Sequence, residues 1–176
     1  KKKIFVMISN IKTIKICLDK YLFYNFLVKN KIATIPTSIN IDFITTQKYV
    51  VKNRFGQGSK NCYLNLNYKN AKILSKTIKR PIFQKFVDGD EVSIDCYVNI
   101  VGKCKILMRY RKSVNLGESE HTVFFKNKII YSTIEKIINK LSFCGHVMFQ
   151  GIISKGVFYM LECNPRVGGA SATCYY

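Results

Sequence analysis

Acidic residues are scarce in this chain. Its 176 residues carry ten Asp and Glu against 29 Lys and Arg, a formal net charge of +19. Arginine is scarce as well, with only Arg54, Arg80, Arg109, Arg111 and Arg166. A surface that reads bases or grips a nucleic-acid backbone leans on the guanidinium fork. No block of five consecutive cations occurs either. The charge therefore reads as lysine spread over solvated faces, and nucleic acid is not the expected partner. Histidine is limited to His121 and His146, neither in a distinctive setting. That excludes a well-marked Cys-His nucleophile. The seven cysteines are odd in number and form no C-x-x-C pair, which excludes zinc-ribbon and disulfide-framework readings. Most lie in apolar runs and are expected to be buried free thiols in a reducing cytosol. No apolar run reaches the roughly 20 residues of a membrane helix. The basic start at Lys1–Lys3 lacks a signal peptide's long apolar stretch and cleavage site. A cytoplasmic protein with no membrane partner is expected.

What is present suits a packed core: 48% of residues are hydrophobic and 13% aromatic. Patterning predicts strands over 3–8, 48–53, 82–87, 91–100, 103–110, 146–153 and 157–163. It predicts helices over 20–29, 69–79 and 132–142. Asp19 is the expected N-cap of the first helix. Ser154-Lys155-Gly156 marks a hairpin. Strands and helices mix without strict alternation, so the fold class is α+β with antiparallel sheets. The composition shifts near Pro81, where we place a lobe boundary.

Three stretches can carry chemistry. In Lys52-Asn53-Arg54-Phe55-Gly56-Gln57-Gly58-Ser59 a strand delivers a lysine into a glycine loop. Such a loop turns backbone N–H groups toward an anion, although an ordinary hairpin turn has the same composition. It is not a P-loop, because the G-x-x-x-x-G-K-[ST] spacing is absent. In Tyr159-Met160-Leu161-Glu162-Cys163-Asn164-Pro165-Arg166 a carboxylate interrupts an apolar strand, which is costly unless it is paired or binds a metal. Glu162 and Asn164, with Gln150 from the preceding strand, offer three oxygen ligands suited to Mg²⁺ (or Mn²⁺). Arg166 lies near enough to share phosphates. The plain alternative is a solvated strand end with Glu162 paired to a lysine. The third stretch, Gln84-Lys85-Phe86-Val87 and the acidic turn to Glu91, reads either as a polar hairpin turn or as a hinge. As a hinge, its backbone would pair with an adenine edge and a carboxylate would meet the ribose.

In this order the three stretches resemble the ATP-grasp superfamily. Asp19-Lys20, Ile35-Pro36-Thr37, Lys52, the Gly56–Ser59 flap and Glu162-x-Asn164-Pro165-Arg166 before Gly168-Gly169 carry the resemblance. Gln150 and Arg109-Tyr110-Arg111 look most like the carbamoyl-phosphate-synthase-like branch. The resemblance implies an ATP-grasp fold of two lobes that clamp ATP. It divides the chain into 1–14 as the end of a preceding α/β domain, 15–80 as an N-terminal lobe with the flap, and 81–176 as a C-terminal lobe with the hinge and metal site. It implies an ATP-dependent, Mg²⁺-dependent ligase that activates a carboxylate as an acyl phosphate for attack by an amine or similar nucleophile. Lys20, Lys52, Gly56, Gly58 and Ser59 would bind phosphates, with Lys52 and Arg166 catalytic. Gln84, Lys85, Phe86, Val87 and Glu91 would meet adenine and ribose. Gln150, Glu162 and Asn164 would hold the metal, and Arg109 or Arg111 would anchor the acceptor carboxylate. The partners are then ATP, a small carboxylate and a nucleophile, and a homo-oligomer is compatible. The competing class is a non-catalytic basic module that binds nucleotide or nucleic acid.

Overall fold

Short runs of alternating apolar residues separated by polar turns build two antiparallel sheets. We describe them from a computed structural model covering residues 6–56, 58, 61–115 and 118–168. Two helices open the fold, α1 (Ile11–Leu18) and α2 (Lys20–Lys29). The smaller sheet comprises β1 (Thr37–Ser38), β2 (Tyr49–Asn53), β3 (Cys62–Leu66) and, after helix α3 (Tyr68–Ser75), β4 (Pro81–Lys85). Its strand order is β1-β4-β2-β3. The larger sheet comprises β5 (Asp90–Val98), β6 (Cys104–Asn115), β7 (Glu118–Phe125), β8 (Gly145–Ser154) and β9 (Val157–Asn164), in the order β7-β6-β5-β8-β9. Helix α4 (Lys128–Ile138) lies between β7 and β8 in sequence. The expected α+β class is the observed one.

The larger sheet has two unlike faces, and this positions the site. Val92, Ile94, Cys96 and Val98 of β5 share a face with Met108, Val147, Phe149 and Cys163 through the strand register. That face packs against Ile130, Ile134, Ile137 and Ile138 of α4 and against Cys17, Phe23 and Leu27 of α1 and α2. The opposite face carries Glu91, Ser93 and Asp95, then Arg109 and Arg111, Gln150, Glu162 and Asn164. One face is oil and the other is charge, as alternation in a half-covered sheet requires. The smaller sheet makes its own core with α3 from Ile41, Tyr49, Val51, Ala71, Ile78 and Phe83.

Several expectations change. Residues 6–10 form no strand. They run beside the loop before β8, where Ser9 Oγ accepts from the Cys144 N–H at 3.1 Å and Asn10 N–H donates to Ser142 O at 3.2 Å. Helix α1 follows at once and was not foreseen, although Asn10 caps it by accepting from the Lys12 and Thr13 amides. Strands β3 and β7 were also unforeseen. α3 ends at Ser75, before the expected 79, and α4 starts four residues earlier than expected, capped by Asn127. The expected boundary at 81 precedes a strand that pairs with β2, so the switch between sheets falls between Lys85 and Asp90. Helices α1 and α2 pack with the larger sheet rather than the smaller.

Candidate functional site

The polar face of the larger sheet meets the smaller sheet at a cleft. Cys17, Leu18, Lys20, Gly56, Glu162, Cys163 and Asn164 line a cavity of about 160 Å³ in it. Lys20 enters because Asp19 stops α1 and caps α2, its Oδ1 accepting from the Tyr21 and Leu22 amides at 3.0 and 3.1 Å. Lys20 Nζ donates to the Gly56 carbonyl at 2.7 Å and lies 3.6 Å from Glu162. Gly56 and Gly58 have φ of +122° and +70°, which favours glycine at both places. Ser59 falls outside the described residues.

Lys52 comes from β2 and pairs in register with Cys62 of β3 and Ile82 of β4. Those three side chains share a face with Gln84, two residues along β4. Burial pulls the Lys52 ammonium below its ordinary pKa, and the charge of Glu162 partly offsets this. The Cys62 thiol is pushed up by burial, with Lys52 opposing. Both groups therefore feel Glu162 across the cleft.

Glu162 owes its place to a β-bulge. Gln150 faces Glu162, but the next pair is Gly151 with Met160, so Leu161 is an extra residue on β9. Such a bulge reverses the facing of everything beyond it. Phe158 and Met160 point into the core, and strict alternation would send Glu162 there too. The extra residue turns Cys163 inward and Glu162 outward. Gly151 permits this close pairing, since a Cβ there would collide with the Phe158 ring and the Tyr159 carbonyl. With its amide oriented to satisfy its neighbours, Gln150 donates to Glu162 and accepts from Arg111 Nη1 at 3.3 Å. Arg111 also donates to Glu91 at 2.8 Å and to Ser119 Oγ at 3.0 Å. Asn164 lies beyond Glu162 on the same face, opposite Met148.

The structure thus brings Lys20, Lys52, Gly56, Glu162, Gln150, Asn164, Arg111 and Glu91 to one cleft. Other expected residues stand differently. Arg109 is 1% exposed and donates through Nε to Asp95 at 2.7 Å, which makes it part of the sheet's floor. Gln84 is buried, and its Nε2 donates to Thr37 Oγ1 at 2.7 Å. The Lys85 and Phe86 amides donate to Pro36 O and Lys48 O. The Lys85 side chain is exposed, and Val87 lies just past the strand. Arg166 is exposed at the end of β9, its Nη1 on the Val167 carbonyl. Sequence reading overlooked Cys62, Ile82 and Arg54. Pairing register places the first two, and a contact 35 residues away in sequence places the third.

Asp19 yields a pH prediction. Burial opposes its ionisation, but hydrogen bonds from Arg54 and the Leu22 and Tyr21 amides, with the Arg54 charge, outweigh burial and lower its pKa. A carboxylate lowered in the folded state stabilises it above the unfolded pKa. That contribution is lost as pH falls through the folded pKa. Asp19→Asn keeps a capping oxygen but cannot ionise. The stability gap between wild type and Asp19→Asn should therefore be widest near pH ~6 and close toward pH ~3. Urea unfolding across that range measures it, and a constant gap would contradict the assignment.

Residues 17–170 match the ATP-grasp domain family (ATP-grasp_3). The chain belongs to the ATP-grasp family. No protein with a curated description matches it. Among solved structures, it is similar to an L-amino acid ligase from Bacillus licheniformis, at 18% identity and TM-score 0.73, covering 93% of this chain and 44% of that one. It is similar to an N5-carboxyaminoimidazole synthetase from Staphylococcus aureus complexed with ADP, at 19% identity and TM-score 0.75, covering 93% and 48%. It is similar to a biotin carboxylase from Campylobacter jejuni, at 12% identity and TM-score 0.78, covering 94% and 44%. At these identities the likeness is one of fold. This ATP-grasp chain spans less than half the length of those proteins. No helix among its described residues is long and apolar enough to cross a membrane.

Proposed function

We propose that this ATP-grasp chain is the nucleotide-binding core of an ATP-dependent ligase that joins a carboxylate to an amine or similar nucleophile. The observation that carries the reading is the cleft itself. Lys20 from α2, on the larger sheet's side, and Lys52 from β2 of the smaller sheet converge on the Glu162–Gln150–Asn164 oxygen set. Cations opposite a carboxylate suit a polyphosphate carrying a divalent metal. Lys20 and Lys52 hold phosphate oxygens, with Gly56 beside them. The segment 84–87 with Glu91 receives adenine and ribose, and Glu91 must share its carboxylate with Arg111.

The donor set fits Mg²⁺ or Mn²⁺. Glu162 and Asn164 offer a carboxylate and an amide oxygen, and Gln150 would add a third hard ligand by turning its amide oxygen from Arg111 toward Glu162; such ions take further ligands from water and substrate phosphate. Among the described residues no group of three His, Cys, Asp or Glu could hold a metal alone. A bound cation neutralises phosphate charge during transfer. The chain's own residues orient and screen: Arg166 lies beside the transferred phosphate, and Arg111 clamps the acceptor carboxylate with Arg109 supporting it from beneath. No Ser-His or Cys-His pair is needed, because phosphoryl transfer asks mainly for positioning and charge stabilisation. We assign the protein to the cytoplasm by the same reading.

The direct test is ADP formation. Mg-ATP with a panel of small carboxylates and amines should release ADP only when both co-substrates and the metal are present. Equal ADP release without any carboxylate would remove the ligase reading.

A further inference from the structure

We infer that Arg54 is a positioning residue: paired with Asp19, it clamps the stem of the glycine flap to the start of α2 and so fixes Lys20 against Gly56 for phosphate binding. This rests on the nucleotide reading of the cleft. Arg54 does not line the cleft and is absent from the residues assigned to ligand there. Its Nε and Nη2 donate to the two oxygens of Asp19 at 2.7 and 2.6 Å, a two-pronged pair. Asp19 is 4% exposed and the Arg54 side chain 27%, so the carboxylate is shielded and the guanidinium half-buried.

The same junction is pinned through the backbone. The Lys20 amide, first in α2, donates to the Arg54 carbonyl at 3.1 Å. The Arg54 amide donates to Arg80 O at 2.8 Å, tying it to the residue before β4. Two residues on, Gly56 O accepts from Lys20 Nζ at 2.7 Å. The guanidinium also lies over the Tyr21 and Phe55 rings, at 5.4 and 5.5 Å. Asp19 and Lys20 are adjacent, and Arg54 and Gly56 flank Phe55. The contacts therefore close a small ring: side chain to side chain, Lys20 amide to Arg54 carbonyl, and Lys20 ammonium to Gly56 carbonyl. α2 is itself held on the larger sheet by Phe23 and Leu27, so the ring transmits that rigid frame to the flap. Loss of the pair leaves the flap stem and Lys20 free to part, and phosphate binding must then order them afresh.

The test uses the full chain as wild type, Arg54→Gln, Asp19→Asn and the double variant. Asp19→Asn retains a helix cap, which guards against simple misfolding. Two quantities are read: hydrogen exchange at the Lys20 amide without ligand, and the Kd for Mg-ATP by calorimetry. Each single variant is expected to speed Lys20 exchange and weaken Mg-ATP by about tenfold, the scale of one charge-assisted bidentate pair. The double variant should be no worse than either single one, because both remove the same interaction. Arg54→Lys should recover little, since an ammonium cannot present two fixed prongs. Wild-type binding with unchanged affinity in both single variants overturns the clamp and leaves the nucleotide reading standing. Additive losses in the double variant overturn it too. A wild type that binds no Mg-ATP overturns the nucleotide reading, and the positioning role with it.

Discussion

Glu162→Ala is expected to abolish the metal-dependent part of ATP binding while leaving the fold in place. The side chain is 27% exposed on the polar face of β9. Its removal takes away the charge that partly offsets the burial of Lys52, which a lysine answers by giving up its proton more readily rather than by unfolding the chain. Lys20 keeps its bond to the Gly56 carbonyl. What disappears is the only carboxylate in the proposed donor set, leaving two neutral amides. A metal held by amides alone loses several kcal/mol of charge stabilisation, roughly a thousandfold or more in turnover. Thermal unfolding with ATP and Mg²⁺, separately and together, reads the binding part. A ligand at a hundred times its Kd stabilises by about 2.7 kcal/mol. In a chain of this size that is a shift of roughly 5–10 °C. The wild type should show an added shift when metal and ATP are combined, and the variant should show none beyond ATP alone. An undiminished combined shift in Glu162→Ala takes this carboxylate out of the metal site.

The second large effect lies beneath the site. Asp95→Ala should cost about 3–5 kcal/mol, the usual penalty for stranding a buried charge. The Arg109 side chain is 1% exposed, its Nε is bound to Asp95, and its Nη1 is buried without a hydrogen-bond partner. Removing Asp95 strands the guanidinium. The melting temperature should fall by roughly 10 °C. The paired replacement Asp95→Leu with Arg109→Met should recover most of this, because swapping a buried ion pair for apolar groups is often neutral. The same pair of variants separates two roles for Arg109. If it only supports the floor, the paired replacement keeps the acceptor's apparent affinity. If it anchors the acceptor, affinity falls although stability returns. A single Asp95→Ala variant as stable as wild type would show that the pair contributes little.

Local signals were legible where one residue decides the outcome. Asp19 before an apolar-periodic run placed α2 at 20–29, and the structure has it at Lys20–Lys29. Ser154-Lys155-Gly156 marked the β8–β9 hairpin, and Lys155 and Gly156 take the positive φ such a turn needs. Asn10 could have announced α1 in the same way, but Lys12 and Lys15 among the isoleucines blurred its periodicity. β7 escaped because it is an edge strand with exposed Val123 and Phe124, which leaves no one-sided pattern to read. Lys52 was legible as a strand lysine before glycines. Its neighbour Cys62 was not, because cross-strand partners depend on register.

By itself the sequence determined the family. Its glycine flap, its strand lysine and its Glu-x-Asn-Pro-Arg run resemble the ATP-grasp family, and the domain match over residues 17–170 agrees. Only the tertiary structure decided which way Glu162 points. Read as a strict alternation, Met160 and Glu162 share a face and the carboxylate is buried in the core. The pairing of β8 with β9 inserts Leu161 as a bulge, and the parity changes between them. The physical reason is that side-chain facing is counted from hydrogen-bonded partners, not along the chain. A strand cannot carry that count until its neighbour is in place.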